Sequence, residues 1–159
     1  LAADGQTLLD RLNELFSEFG YYAERQRSDY AYGPSGKELI ARLMQTLRTS
    51  PPAELGGIVL TSVDDYLQHE TRSLPGNDKS ARLPKPSGEL LIFHGSHDDC
   101  RIRFAARPSG TEPKIKFYLF AEPHGPAGDT VAEHRDRAEA RLNAFEQALG
   151  EWIEPQLKA

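Results

Sequence analysis

The chain has 159 residues, of which 38% are hydrophobic and 27% are charged, and its formal net charge is -5 at pH 7. This length allows one domain with a hydrophobic core and little beyond it, and no apolar run approaches the roughly 18 residues that cross a bilayer. Cys100 is the single cysteine, which excludes an intrachain disulfide, and because no signal-peptide pattern opens the sequence we expect a cytoplasmic protein.

Two amphipathic helices and one strand are predicted at the start of the chain. The first helix covers residues 4–19, and Gly20 ends it because glycine readily adopts the conformation that follows a helix. Its apolar residues recur every three or four positions: Leu8, Leu9, Leu12, Leu15, Phe16 and Phe19. The tyrosine-rich residues 21–32 predict a strand. A second helix then begins at the capping-box pair Ser35 and Glu38 and stops before two consecutive prolines.

Four strands and a final helix are predicted in the remainder of the chain. The strands cover residues 57–67, 90–93, 100–106 and 114–121. Residues 72–88 contain three prolines and two glycines and predict a mobile loop. The last helix begins at Thr130, which forms a capping-box pattern with Glu133, and we expect Pro155 to end it. Its apolar positions predict core residues: Ala138, Leu142, Phe145, Leu149 and Trp152.

The order of these elements predicts an α+β fold, a β-α-β4-α unit preceded by one extra helix. Short loops between consecutive strands favour antiparallel pairing. Two helices would then cover one face of the sheet, since each has only one apolar face to bury.

Residues 107–118, Arg-Pro-Ser-Gly-Thr-Glu-Pro-Lys-Ile-Lys-Phe-Tyr, form the most informative segment. Arg107 offers a planar fork of donors that suits two phosphate oxygens, and Ser109 and Thr111 add hydroxyl donors. Gly110 lets backbone N–H groups approach an anion closely. The segment therefore has the donors of an anion-binding turn.

The charge around this turn supports the same interpretation. Residues 101–118 contain five basic side chains and one acidic side chain, among them Lys116 one strand step beyond the turn. A positive spot on an acidic protein indicates a local anion site rather than a nucleic-acid-binding face. The same residue types are also ordinary β-turn residues, so the pattern alone leaves a plain turn open.

Residues 107–118 closely resemble the phosphate-binding loop of the α-D-phosphohexomutases, the family of phosphoglucomutases and phosphomannomutases. Residues 8–22 resemble the helix that closes the third domain of these enzymes. The Leu83-Pro84 pair resembles a segment found in the branch of the family with phosphopentomutase activity. The resemblance implies a fold of the TATA-binding-protein-like class. It also implies a division of the chain: residues 1–20 would be the last helix of the third domain, and residues 21–155 the C-terminal phosphate-binding domain.

The resemblance implies a function as well. Family members interconvert sugar 1-phosphate and 6-phosphate through a phosphoserine enzyme and a bisphosphate intermediate. The positions that match the family loop would bind the substrate phosphate that does not react: Arg107, Ser109, Gly110, Thr111 and, one strand step further, Lys116. Mg2+ and a sugar bisphosphate activator would serve the full-length enzyme and not this segment. The implied partners are a phosphosugar and the missing upstream domains of the same chain.

The catalytic motifs of the family do not occur in this sequence. These are the active serine in Thr-x-Ser-His-Asn-Pro, the metal loop Asp-Gly-Asp-x-Asp-Arg, and the sugar-reading loop Gly-Glu-x-Ser-Gly. Residues 95–99, Gly-Ser-His-Asp-Asp, lack the following Asn-Pro and predict a hairpin turn. No partners distant in sequence stand out for His94, His97, Asp98 and Asp99, so these residues predict a polar hairpin rather than a metal site. We therefore expect no catalytic residue and no metal ligand in this segment, which alone would not be catalytic.

A free-standing anion-binding or interaction module is the alternative function. Nucleic-acid binding through the exposed sheet is disfavoured by the net charge of -5 and by the lack of interleaved basic and aromatic residues, and we expect no membrane partner. Without its own domain the first helix would expose apolar surface, so we expect it to pack against another copy or to fold back on the sheet.

Overall fold

The structure is a computed structural model, and it describes residues 5–84, 87–124 and 129–158. These residues form three helices and eight strands, in chain order α1 (Leu8–Phe19), β1 (Ala23–Tyr30), α2 (Gly36–Thr49), β2 (Glu54–Leu55), β3 (Ile58–Asp65), β4 (Glu70–Ser73), β5 (Asp78–Arg82), β6 (Leu91–His97), β7 (Cys100–Pro108), β8 (Lys114–Pro123) and α3 (Val131–Leu157). None of the described helices is long and apolar enough to span a membrane.

The strands form one antiparallel sheet in the order β1-β8-β7-β6-β3-β4-β5, and the short β2 pairs with β3 at its side. Helices α2 and α3 cover one face of this sheet, and α1 precedes the unit. The predicted α+β class is confirmed. The arrangement is compatible with the TATA-binding-protein-like class that the resemblance implies.

Strand alternation divides the side chains of β7 and β8 between two faces. One face packs under the helices and forms the core, with Cys100, Ile102, Phe104, Ala106, Ile115, Phe117, Leu119 and Ala121 buried. Phe104 stacks on Phe93 and also contacts Phe145 of α3. We call the other side of the sheet the open face; on β7 and β8 it includes Arg101, Arg103, Ala105, Arg107, Lys116, Tyr118, Phe120 and Glu122.

The loop predicted over residues 72–88 is wrong in its first half. Residues of β4 and β5 pair there as a hairpin that extends the sheet beyond β3. Every residue of β5 is exposed. A strand with no buried side chain has no apolar alternation in its sequence, which is why the hairpin was not predicted.

Two predicted helix boundaries are also corrected. Ser35 lies at the start of α2 but makes no side-chain cap hydrogen bond, so the Ser35–Glu38 capping box does not form. Helix α3 continues through Pro155 to Leu157. A proline there removes only one hydrogen bond, two residues before the helix ends. Trp152 is half-buried rather than in the core, and its neighbour Ile153 occupies the buried position.

Helix α1 begins at Leu8, later than predicted, because Thr7 and Asp10 form a capping box there. Gly20 ends it as predicted, at a φ of 89° that favours glycine. No residue of α1 is buried, and Leu8, Leu9 and Phe19 are each more than 60% exposed. The helix therefore does not fold back on the sheet.

A buried ion network, which the sequence did not predict, joins α2 to strands β3 and β4. Asp65 at the end of β3 is fully buried and accepts hydrogen bonds from Arg48 at 2.8 Å and from Arg72 at 3.4 Å. Arg48 also donates to Glu89 at 2.6 Å. Charged groups of this kind are stable in a core only when they are paired, so the network fixes β3, β4 and α2 relative to one another.

Candidate anion-binding site

The segment predicted to bind an anion forms the turn between β7 and β8. The Ser109 N–H donates to the Lys114 carbonyl at 2.9 Å, and the Ser109 hydroxyl oxygen accepts from the Glu112 N–H at 3.3 Å. The N–H of Ala31, just after β1, donates to the Pro113 carbonyl at 2.9 Å. The turn is thus closed by its own backbone and tied to the end of β1. Because the Ser109 oxygen already accepts, its hydroxyl proton is free to be donated to a ligand.

Arg107 and Lys116 are direct cross-strand partners on the open face. Such partners have Cβ atoms about 4.5–5.5 Å apart, and like charges in this position destabilise a sheet. In residues 5–84, 87–124 and 129–158, neither side chain has a carboxylate partner. Two facing cations without a counter-ion form a site that an anion would stabilise.

Lys114, the next cation of the segment, is already neutralised. Its Nζ lies 2.6 Å from Glu112 Oε2, donates to the Tyr30 hydroxyl at 3.2 Å, and sits 5.2 Å from the centre of the Tyr30 ring. The hydrogen bond to Glu112, followed by that to Tyr30, raises the pKa of Lys114. Lys114 therefore stabilises the turn and is not part of the anion site.

The other predicted residues lie at the tip of the turn and on its helix side. Ser109 and Gly110 line a cavity of about 400 Å3 between the turn and α2, which they share with Lys37. Thr111 is exposed at the tip. No atom lies within 4 Å of the position that a Cβ would take at Gly110, so the space around its backbone is open. The five predicted residues therefore lie at or beside the β7–β8 turn but do not line one cavity: Ser109 and Gly110 border the cavity on the helix side, whereas Arg107 and Lys116 lie on the open face.

Gly36 explains why α2 begins against this turn, a role that the sequence analysis missed. A Cβ there would lie 2.3 Å from the Ala31 carbonyl oxygen and 2.9 Å from the Pro113 Cβ. Contacts this short are not possible, so only glycine allows the helix to start here. The close approach brings Lys37, the next residue, to the edge of the cavity.

The competing segment, residues 95–99, belongs to the β6–β7 hairpin, but its turn is shorter than predicted. Residues 95–97 are the end of β6, His97 pairs with Cys100 in the ladder, and only Asp98 and Asp99 form the turn. His94 Nε2 lies 3.0 Å from Asp64 Oδ2, and His97 Nδ1 lies 2.8 Å from Asp99 Oδ1. Within the described part of the chain no group of three His, Cys, Asp or Glu side chains converges as a metal site.

Asp99 joins this turn to α3. Arg141 donates two hydrogen bonds to its carboxylate, at 2.9 and 3.0 Å. The hydrogen bond from Arg141 is the largest of the effects that hold the pKa of Asp99 below its ordinary value of 3.8. Residues 95–99 resemble part of a catalytic serine loop only in sequence. In the structure, the Asp99–Arg141 pair attaches this turn to α3.

We expect the Asp99–Arg141 pair to make a pH-dependent contribution to stability. Since folding lowers the pKa of Asp99, the pair stabilises the fold above about pH 4 and loses this effect as the pH falls through the lowered pKa. The two side chains are about 30% exposed, so we expect Arg141→Ala to lower the free energy of unfolding by less than about 1 kcal/mol at pH 7. The loss should be smaller at about pH 3 in urea titrations. Arg42→Ala, on the exposed side of α2, is the control, and an equal loss at both pH values would contradict the assignment.

Comparison with known proteins supplies the family. A phosphoglucomutase of Staphylococcus aureus (strain MRSA252) is 32% identical over 120 residues, which cover 72% of this chain and 20% of that protein. A Haemophilus influenzae protein named "Probable phosphomannomutase" is 35% identical over 126 residues, covering 79% of this chain and 22% of that protein. The chain belongs to the phosphohexomutase family. It spans about a fifth of the length of these phosphohexomutase relatives.

Two other comparisons add nothing to this assignment to the phosphohexomutases. No protein-family model matches the chain. Among solved structures, a START superfamily protein from Mycobacterium smegmatis has a TM-score of 0.45 at 10% identity, covering 86% of this chain and 99% of that chain. A similarity this low carries no argument about the fold or the function.

Proposed function

We propose that this chain is the C-terminal substrate-phosphate-binding domain of a phosphohexomutase. The longer enzyme would interconvert sugar 1-phosphate and sugar 6-phosphate through a phosphoserine and a bisphosphate intermediate. One observation carries the proposal: Arg107 and Lys116 face each other across two strands without a carboxylate partner in the described residues, beside a turn with open donors. A phosphate dianion is the ligand that this charge and these donors suit best.

The residues of the turn would divide the work on the phosphate that does not react. Arg107 supplies a bidentate pair of N–H donors, and Lys116 opposite adds a point charge. The Ser109 hydroxyl, the exposed Thr111 hydroxyl and the Gly110 backbone add neutral donors. A phosphate held at one end orients the sugar, so that the other end meets the phosphoserine supplied by the rest of the enzyme.

The described residues do not fit a resident Mg2+, since no set of metal-binding side chains converges among them. We assign the phosphoserine, the metal and any sugar bisphosphate activator to the upstream domains of the same protein, which are the partners of this one. On this assignment the chain alone contributes binding and orientation to the reaction, and no chemical step.

Phosphate titration of the chain tests the proposed site. A single turn without the rest of a cleft should bind phosphate weakly, at about millimolar or worse, because few groups converge on it. Amide chemical shifts should move in residues 107–116, and the chain with Mg2+ and a hexose phosphate should show no isomerisation. Shift changes centred on residues 94–100 would show that the wrong turn was chosen, and turnover by the pure chain would refute the division of roles.

We propose that residues 1–20 are the last helix of the preceding domain and that residues 21–155 are the phosphate-binding domain. The exposed apolar face of α1 supports this division, since the side chains of Leu8, Leu9 and Phe19 bury little of their surface against the rest of the chain. We expect deletion of residues 1–19 to lower the free energy of unfolding by no more than about 1 kcal/mol, because no residue of α1 is buried. A loss of several kcal/mol in urea titrations would place α1 in the same domain as the sheet.

A further inference from the structure

The cavity between the β7–β8 turn and α2 is separate from the Arg107–Lys116 pair, which lies on the open face. Its volume of about 400 Å3 falls within the range of roughly 300–1,000 Å3 that small-molecule sites occupy. The residues of α2 that line it recur every three or four positions: Lys37, Ile40, Ala41, Met44 and Arg48. This spacing forms one stripe along about 16 Å of the helix, so the cavity is elongated.

The charged side chains of this cavity leave one positive charge over. Arg48 donates to Glu89 at 2.6 Å, and both residues line the cavity. Glu112, which also lines it, lies 2.6 Å from Lys114 Nζ. No carboxylate of the described residues lies within ion-pair distance of Lys37, the remaining charged residue of the lining. The cavity therefore carries one uncompensated cation.

The polar and apolar parts of the cavity are separated along α2. Gly36 packs against Pro113, so the Lys37 end of the stripe lies beside the turn. The Ser109 hydroxyl lines the same cavity and still has its proton to donate, since its oxygen accepts from the backbone. Further along the helix the lining is apolar, with Ile40 and Met44. Donors thus occupy one end and apolar groups the middle.

We propose that this cavity binds a monocarboxylic acid with a compact apolar body. The carboxylate accepts from the Lys37 ammonium and the Ser109 hydroxyl, and the apolar body packs against Ile40 and Met44, where its surface leaves water. One cation matches one negative charge. A dianion fits less well, because its second charge has no partner and Glu89 and Glu112 line the same space.

The cavity ligand and the phosphate compete for one donor, a step that rests on the proposed function. Ser109 has a single hydroxyl proton, which can be donated to the carboxylate on the helix side or to a phosphate at the turn, but not to both. Each ligand therefore weakens the binding of the other, by the same factor in both directions. A carboxylate in the cavity acts as an inhibitor of phosphate binding.

Met44 reports on occupancy of the cavity, because it lines the cavity and is the only methionine of the chain. The probe is 3-phenylpropionate, and the neutral 3-phenylpropanol is its matched analogue. Titrations followed by the methyl resonance of a methyl-labelled methionine should give a Kd of about millimolar for the acid. The alcohol should bind about fivefold more weakly, which is the value of one exposed charge pair.

Three variants test the assignment of the cavity residues. Lys37→Ala should make the affinities for the acid and the alcohol equal. Arg42→Ala removes an exposed cation of the same helix that does not line the cavity, and it should keep the fivefold preference. Ala41→Leu should fill the cavity and abolish the Met44 shift with both probes; alanine and leucine are both good helix formers, and Ala41 is exposed, so the fold should be kept.

The outcomes separate the cavity from the proposed function. No Met44 shift, equal affinities for acid and alcohol in the unaltered chain, or an equal Met44 shift with inorganic phosphate would overturn the carboxylate site. With the acid at saturation, phosphate affinity at residues 107–116 should fall by about two- to tenfold, the value of one hydrogen bond; an unchanged affinity would overturn the sharing of Ser109. Phosphate that fails to bind there even without the acid would refute the proposed function and the competition, whereas the Met44 titrations would still support the cavity site.

Discussion

Replacing Asp65 with Ala should destabilise the fold by about 3–5 kcal/mol, the cost of breaking a buried ion pair from one side. The Asp65 carboxylate is fully buried, accepts from Arg48 and Arg72, and also accepts from the backbone N–H groups of Leu67 and Gln68, each at 3.1 Å. The truncation would leave two arginines, each only 8% exposed, without this counter-ion. A protein of this size has a total stability of the same order, so the variant should be largely unfolded at moderate urea concentrations.

The neighbouring residue provides the control. Asp64 is adjacent in sequence but lies on the open face, half-buried, where it contacts Thr71 and His94. Asp64→Ala should cost only about 1–2 kcal/mol, as expected for two partly exposed hydrogen bonds. Asp65→Asn retains an acceptor for the two N–H groups and should be intermediate. Urea midpoints of the three variants measure the series, and an Asp65→Ala chain as stable as Asp64→Ala would show that the network is not a structural anchor.

The sequence predicted the central part of the fold because its information there is local. Apolar and charged residues alternate in residues 100–104 of β7 and 114–117 of β8, so the alternation there assigns the buried and open faces. The capping box of Thr130 and Glu133 also formed as predicted. That of Ser35 failed because Ser35 has a ψ of 5°, not the extended backbone of an N-cap, in a segment where Gly36 packs against the turn.

What the sequence could not predict depends on contacts between distant residues. The pair Asp64-Asp65 gives no sign of which aspartate is buried, since that follows from the approach of Arg48 and Arg72. In the candidate site, strand alternation placed Lys116 near the turn, but only the register shows that it lies directly opposite Arg107.

Arg107→Ala should weaken binding of a hexose monophosphate by about ten- to a hundredfold, the value of a charge-assisted pair worth roughly 1.5–3 kcal/mol. The exposure of Arg107 favours the lower end of this range. In the complete enzyme that we propose, kcat/KM should fall by a similar factor, while phosphorylation of the active serine should change much less, because the contact is remote from the reacting bond. Arg107→Lys should restore only part of this affinity, since an ammonium group keeps the charge but cannot donate two hydrogen bonds in the planar geometry of a guanidinium.

The stability of the ligand-free chain distinguishes a binding residue from a structural one. Arg107 faces Lys116 without a carboxylate partner in the described residues, so removing it relieves a like-charge contact. We therefore expect Arg107→Ala to unfold at an unchanged or slightly higher urea concentration while its phosphate affinity falls. Arg101→Ala, which breaks the pair with Glu122, should leave phosphate affinity unchanged. Wild-type affinity in Arg107→Ala would refute the site. If Arg107→Ala lowers both the phosphate affinity and the stability, Arg107 supports the turn. If it lowers the affinity but raises the stability, the repulsion between Arg107 and Lys116 is retained because both residues bind the anion.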